Sequence, residues 1–228
     1  MLNPVKGNMY NFCTHTWNTV KGKCPHDCSY CYMKRFGEQK PIRFDKKELK
    51  TDLGKGNFIF VGSSCDMWAD EVPNEWILDT LEHCRQYKNK YLFQTKNPGK
   101  FYQGFEGRLP KGSYIGTTIE TNKLFSEMGN APEPINRAKV LNHLSYYYPT
   151  MVTVEPIMDF DTFDLVHIIR MCDPEWVNVG ADSQNSGLPE PSADKVKDLI
   201  RILKMSGVKV KIKDNLKRLC PDAGSEDL

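Results

Sequence analysis

Seven short runs rich in β-branched and aromatic residues, each followed by a loop and then by a stretch with helical spacing, limit the folds open to this chain. The runs are Phe12 to Trp17, Asn57 to Val61, Tyr91 to Gln94, Ser113 to Thr118, Met151 to Glu155, Trp176 to Val179 and Val208 to Ile212. The clearest helical patterns are Asn74 to Tyr87 and Ser192 to Met205. In the second, Val196, Leu199, Ile200 and Leu203 recur on one face behind a Ser192 cap, and Gly207 ends the helix. Such alternation predicts βαβ units and a parallel sheet. A full eight-fold barrel takes about 250 residues, so six or seven units in 228 residues predict an α/β fold of the partial (β/α)6 TIM-like barrel type, with outer helices. One domain spanning residues 1–228 is expected, since no repeat, low-complexity tract or linker interrupts the chain. Loops at Gly129 to Pro134 and Gln184 to Pro191 follow strands, and in α/β barrels such loops build the active face.

Composition narrows the setting. Lys plus Arg number 31 against 29 Asp plus Glu, a net charge of +2, which argues against a dominantly electrostatic nucleic-acid or membrane binder while leaving room for a local basic groove. No apolar stretch approaches the roughly 18 to 20 residues of a membrane span. The N-terminus lacks the apolar core of a signal peptide. A cytoplasmic location without membrane association is the expectation. In such a setting thiols stay reduced, so the eight cysteines are not a disulfide framework. Three of them crowd into Cys24-Pro25-His26-Asp27-Cys28-Ser29-Tyr30-Cys31, a loop after the first strand. Thiols spaced this closely let one loop wrap a metal centre. Three thiolates hold three irons of a [4Fe-4S] cubane and leave the fourth without a protein ligand. A Cys3His zinc site using His26 is the rival, weakened because structural zinc sites draw their ligands as two separated pairs.

The Cys-x3-Cys-x2-Cys loop, with Tyr30 just before the last cysteine, resembles that of the radical S-adenosylmethionine enzymes. Further segments carry the likeness: Phe60 to Asp66, Phe93 to Pro98, Ile115 to Glu120, Val154 to Pro156 and Trp176 to Gly180. They are similar to a short, phage-associated branch of uncharacterised function, and also to spore photoproduct lyase, a DNA-repair member in which a cysteine followed by a serine ends the second strand. The resemblance implies a [4Fe-4S] cluster on Cys24, Cys28 and Cys31 whose open iron chelates S-adenosylmethionine. It implies reductive cleavage to a 5′-deoxyadenosyl radical that abstracts a substrate hydrogen, and an electron donor such as flavodoxin or ferredoxin. A nucleic acid or nucleotide is the first substrate class suggested, with a peptide or small metabolite as rival. A cluster- or zinc-bearing module without turnover is the non-enzymatic alternative.

Polar residues at the strand ends supply the remaining candidates. Ser63, Ser64 and Asp66 replace the superfamily's usual Gly-Gly-Glu. Ser64 or Asp66 can accept from the cofactor ammonium, or simply cap a helix. Lys96 suits the methionine carboxylate, or is a solvated loop lysine. Glu120, with Thr118 assisting, suits ribose hydroxyls. Glu155 suits cofactor or substrate, yet either carboxylate can instead pair with Lys213 or Arg137 to close the barrel mouth. Cys65 is the candidate hydrogen donor, set against the ordinary fate of a lone buried cysteine. Lys209, Lys211 and Lys213 share one face of the last strand, where they flank a phosphate-bearing substrate or guard a sheet edge.

Overall fold

The computed structural model describes residues 1–224. Its ten strands are β1 (Asn3–Pro4), β2 (His15–Trp17), β3 (Val20–Lys21), β4 (Arg43–Phe44), β5 (Phe58–Val61), β6 (Lys90–Thr95), β7 (Ser113–Thr118), β8 (Thr150–Val154), β9 (Trp176–Val179) and β10 (Val210–Ile212). The helices are α1 (Asn74–Arg85), α2 (Pro134–Ser145), α3 (Thr162–Met171) and α4 (Ala193–Met205). Eight strands form one sheet in the order β1-β2-β5-β6-β7-β8-β9-β10. Every pairing from β2 to β10 is parallel, β1 runs antiparallel at one edge, and β10 is the other. The first and last strands do not pair, so the barrel stays open, as six or seven units predict.

All of the predicted strands form, with shifted ends. The first shrinks from Phe12–Trp17 to three residues because Phe12 and Cys13 leave the ladder to pack inside the barrel. Pattern and packing agree best in α4. Its Ser192 side chain accepts from the Lys195 backbone N–H, and Val196, Leu199, Ile200 and Leu203 are fully buried. The alternation of each strand divides the interior into two layers. Ile59, Val61, Tyr91, Phe93, Ile115, Val152, Val154, Val177 and Val179 face the helices and form the main core. Phe60, Leu92, Met151 and Trp176 face inward and meet Tyr10 and Cys13 of the N-terminal segment.

That segment plugs the barrel. Tyr10 stacks on Phe12 at 5.1 Å between ring centres, and Phe12 meets Trp176 edge-on at the same distance. β10 and the residue after it close the layer with lysines: Lys211 Nζ lies 4.1 Å from the Trp176 ring and 4.3 Å from Phe12, and Lys213 Nζ lies 4.8 Å from Tyr10. The lysines do share one face of an edge strand, but Lys211 and Lys213 point into the barrel onto aromatic rings and so do not flank an external phosphate. Cys84, Cys172 and Cys220 are buried free thiols of the main core. No helix among the described residues is long and apolar enough to cross a membrane.

Trp68, in the loop after β5, is fully buried, stacked on Phe101 at 4.0 Å and edge-on to Phe93 and Phe105. Trp68→Ala is expected to cost about 3–5 kcal/mol, read as a lowered urea midpoint. A loss below about 1 kcal/mol would show that this aromatic cluster does not anchor the loop.

Candidate functional site

Parallel strands deliver their carboxyl ends to one side of the barrel, and there the loops enclose a cavity of about 680 Å³. Cys24, Cys28 and Cys31 line it together with Tyr30, Ser63, Asp66, Lys96, Thr118 and Glu155. Ser64, Cys65 and Glu120 do not.

The cysteine loop carries little regular structure of its own and is held by its neighbours. The segment after β7 clamps it from one side: Ser29 N donates to Glu127 O at 2.8 Å, Asn130 N to His26 O at 2.7 Å, and the Cys28 thiol to Met128 O at 3.2 Å. Gly129 has φ of +61°, and a Cβ there would fall 2.1 Å from His26 O, so only glycine permits the approach. Cys28 and Tyr30 also pack with Met128, Met158 and Leu188.

Two buried carboxylates fix the loop to the sheet. Asp66 Oδ2 accepts from His26 Nε2 and Thr95 Oγ1, each at 2.8 Å, and from Lys96 N at 2.9 Å, while Oδ1 accepts from Trp68 N at 3.0 Å. Burial would raise its pKa, but the bond and charge of His26 hold it below the usual range. For His26, burial pulls the pKa down and Asp66 more than reverses it. Asp66 thus braces the turn at Trp68 and ties it to His26, although no helix begins there for it to cap.

Glu120 is the second carboxylate and is wholly buried. Its Oε2 accepts from Arg137 Nη1 at 2.8 Å; Oε1 accepts from Tyr30 Oη at 2.5 Å and from Lys96 Nζ. Burial would raise its pKa strongly, yet the Arg137 and Lys96 charges hold it well below the usual carboxylate range. Both Glu120 oxygens thus serve a buried ion network, and the residue does not line the cavity where a ribose would be met. Lys96 is no solvated lysine. Its ammonium lines the cavity while bonded to Glu120 and to Tyr30 Oη at 3.1 Å.

Glu155, by contrast, faces the cavity. Lys213 Nζ donates to its Oε2 at 2.6 Å, and Asn8 and Asn215 to its Oε1 at 2.9 and 3.0 Å. The Lys213 pairing matches one of the two sequence alternatives. A Cβ on Gly180 would fall 2.8 Å from Glu155 Oε1, so that glycine makes room for the carboxylate. Thr118 is buried and accepts from Gln94 Nε2 at 3.4 Å. Asn18 Oδ1 accepts from Ser63 Oγ at 3.3 Å and Ser64 N at 3.0 Å, which shapes the turn after β5 and leaves Ser63 alone of the pair on the cavity.

Cys65 is 2% exposed and belongs to the main core. Its thiol and that of Cys24 titrate together: the interaction with Cys65 lowers the Cys24 pKa, while Cys24 and burial push Cys65 far up. A hydrogen donor must reach the substrate, so a thiol placed behind Cys24 does not meet the expectation made for it. A depressed thiol pKa favours the thiolate that binds metal.

Among the described residues no three His, Cys, Asp or Glu side chains converge closely enough to hold a single ion. Cubane ligands bind three different irons and stand further apart than the ligands of one ion. Three free thiols around one open cavity therefore fit the larger group better than mononuclear zinc. The cavity also lies within the 300–1,000 Å³ range typical of small-molecule sites.

Sequence reading missed Asn8, Tyr10 and Asn215, which belong to no motif, and Gln94, which lies within the Phe93 to Pro98 segment but was given no role. Arg137 was readable as a buried charge, since it shares a face of α2 with Leu141 and Leu144 at helical spacing.

Glu120→Gln removes the charge between Arg137 and Lys96 and is expected to cost about 3–5 kcal/mol in urea unfolding. Glu155→Gln, half-buried and bonded partly to neutral amides, is expected to cost less; the reverse ranking would contradict the network. In metal-free protein the raised His26 pKa makes its contribution complete below its unfolded value of about 6.5, and lost as pH rises through the folded one. The depressed Asp66 pKa makes its contribution complete above about pH 4 and lost in acid. The Tm difference between wild type and His26→Gln is thus expected to be largest near pH 5 and to shrink by pH 9; a difference that grows toward pH 9 would contradict the link.

No protein-family model matches the sequence, and no curated protein matches it. Solved structures do share its architecture. A spore photoproduct lyase mutant aligns with a TM-score of 0.66 at 11% identity, over 90% of this chain and 78% of the other. A second lyase mutant, with bound AdoMet and dinucleoside spore photoproduct, aligns with a TM-score of 0.53 at 12% identity over 79% of this chain and 61% of the other. Streptococcus suis SuiB bound to S-adenosylmethionine aligns with a TM-score of 0.53 at 10% identity, over 86% of this chain and 49% of the other. At such identities the likeness establishes a common fold: a mixed α/β partial barrel with a mostly parallel sheet and outer helices.

Proposed function

We propose that this chain is a radical S-adenosylmethionine enzyme. The observation that carries the reading is the set of three free thiols, Cys24, Cys28 and Cys31, bordering one cavity at the carboxyl ends of the strands. Support comes from the shared fold of proteins whose structures hold S-adenosylmethionine. When bound, the [4Fe-4S] cluster supplies an electron that cleaves S-adenosylmethionine to a 5′-deoxyadenosyl radical able to take hydrogen from a substrate.

The chain's own residues position and protect that chemistry. Cys24, Cys28 and Cys31 are the ligands, and the Asp66 and Glu120 networks keep their loop in one place. Ser63, Asp66, Lys96 and Thr118 line the cavity beside the loop and form the polar cradle for S-adenosylmethionine. Glu155 lies across the cavity with Asn8 and Lys213 and faces substrate. The Tyr10, Phe12 and Trp176 layer closes the floor against water. A flavodoxin or ferredoxin is the electron donor that such an enzyme needs, and a nucleic acid or nucleotide is the substrate class preferred. Cys65 supports Cys24 and does not donate hydrogen.

Anaerobic reconstitution with iron and sulfide, then reduction in the presence of S-adenosylmethionine, is expected to yield 5′-deoxyadenosine. Cys28→Ala should abolish it and Cys65→Ala should retain it. Stoichiometric zinc with no cluster absorbance would overturn the reading, and a Cys65→Ala variant that cleaves the cofactor but gives a changed substrate product would return that thiol to the mechanism.

A further inference from the structure

The cavity mouth has a chemical character that the cofactor does not need. Lys34, Arg35 and Gln39 form part of one wall, and Lys6 contributes from the N-terminal segment. Next to Arg35, the Phe36 ring is 60% exposed. The Arg35 guanidinium sits 4.7 Å from the centre of that ring and 5.8 Å from that of Tyr32. A flat cation and a flat ring are thus presented together to solvent, directly after the last cysteine of the loop.

The charge around this pair is one-sided. Between residues 32 and 50 there are seven Lys and Arg against three Asp and Glu, and all seven cations are exposed. Two of the three acids, Asp45 and Glu48, are drawn off by Lys21 at 2.8 and 2.7 Å. Lys40, Arg43, Lys46, Lys47 and Lys50 make no ion pair among the described residues. The net charge of the chain is only +2, so the excess is a local feature. The segment is also fixed in place: Lys23 N donates to Lys40 O at 2.8 Å, and β3 pairs with β4.

Clustered cations attract phosphates without regard to sequence, while an exposed aromatic face gives unpaired bases a surface to stack on. A duplex keeps its bases stacked and has no use for the ring. We infer that the strip formed by Arg35, Phe36 and the neighbouring cations binds an unpaired nucleic-acid strand, one base stacking on Phe36 while phosphates follow Arg35, Lys40 and Arg43, and leads it to the cavity. This rests on the cavity being the active site proposed above and names its substrate class.

The test is fluorescence anisotropy of reconstituted protein with a labelled 12-nucleotide single strand, as DNA and as RNA, and with the corresponding duplex. Single strands of one or both sugars should bind more tightly than duplex. If about four phosphates are contacted, binding should weaken roughly 50-fold between about 50 and 200 mM salt. Phe36 is exposed, so Phe36→Ala leaves the fold intact and should weaken strand binding about tenfold; Arg35→Ala should weaken it too, and Lys139→Ala on the outer face of α2 should not. Equal affinity for duplex with indifference to Phe36→Ala would overturn the inference in favour of a plain polyanion surface. Binding of a flavodoxin but of no oligonucleotide would overturn it in favour of a protein-docking face. 5′-Deoxyadenosine formation assayed on the same preparations separates the two readings: cleavage without strand binding sinks this inference alone, and strand binding without cleavage supports the strip while sinking the enzyme reading.

Discussion

A carboxylate with no access to water must be neutralised by its neighbours, and Glu120 imposes that requirement on three separate parts of the chain. Arg137 comes from α2, Lys96 from the end of β6, and Tyr30 from the cysteine loop. The loop itself has few internal bonds, so its shape depends on this point of attachment and on the second one through His26 and Asp66. The two carboxylates lie in the segments that follow β5 and β7, the strands on either side of β6, which explains why a loop with little structure of its own presents three thiols to one cavity. Breaking either network removes a constraint on the thiols without touching them.

The barrel floor illustrates the same economy. An open sheet has a gap between its first and last strands, and the N-terminal segment fills the interior beside it with Tyr10 and Phe12. Lys211 of the edge strand β10 and Lys213 just after it cover those rings, and burial lowers the Lys211 pKa. Lys213 then reaches Glu155 at the cavity. Floor, edge strand and cavity wall are therefore one contiguous set of contacts, and the positive charge of β10 is used inside the protein. A basic surface open to a partner is the ribbon that follows the cysteine loop.

The strand and helix pattern made the fold legible because parallel strands buried on both faces read as apolar runs, and the cysteine spacing made the ligand loop legible because all three thiols are local in sequence. The networks behind them were less legible. Nothing in the chain order says that Glu120 meets Arg137 across a helix rather than a ligand, or that Asp66 turns to His26. Both are long-range pairings fixed by tertiary packing. Cys65 shows the limit most clearly. Its position at a strand end pointed to the cavity, but side chains in that turn alternate, and the thiol faces the core beside Cys24 while Asp66 reaches the cavity. The lysines of β10 were placed on the correct face, although that face turned inward, a distinction that alternation alone does not make.

The central claim is that Cys24, Cys28 and Cys31 hold a cluster with one iron left for S-adenosylmethionine. Electron paramagnetic resonance of the reduced, reconstituted protein tests it most directly. The account predicts a [4Fe-4S] signal that changes on adding S-adenosylmethionine and is absent from Cys28→Ala. A cluster signal indifferent to S-adenosylmethionine, or the same signal in Cys28→Ala, would contradict it.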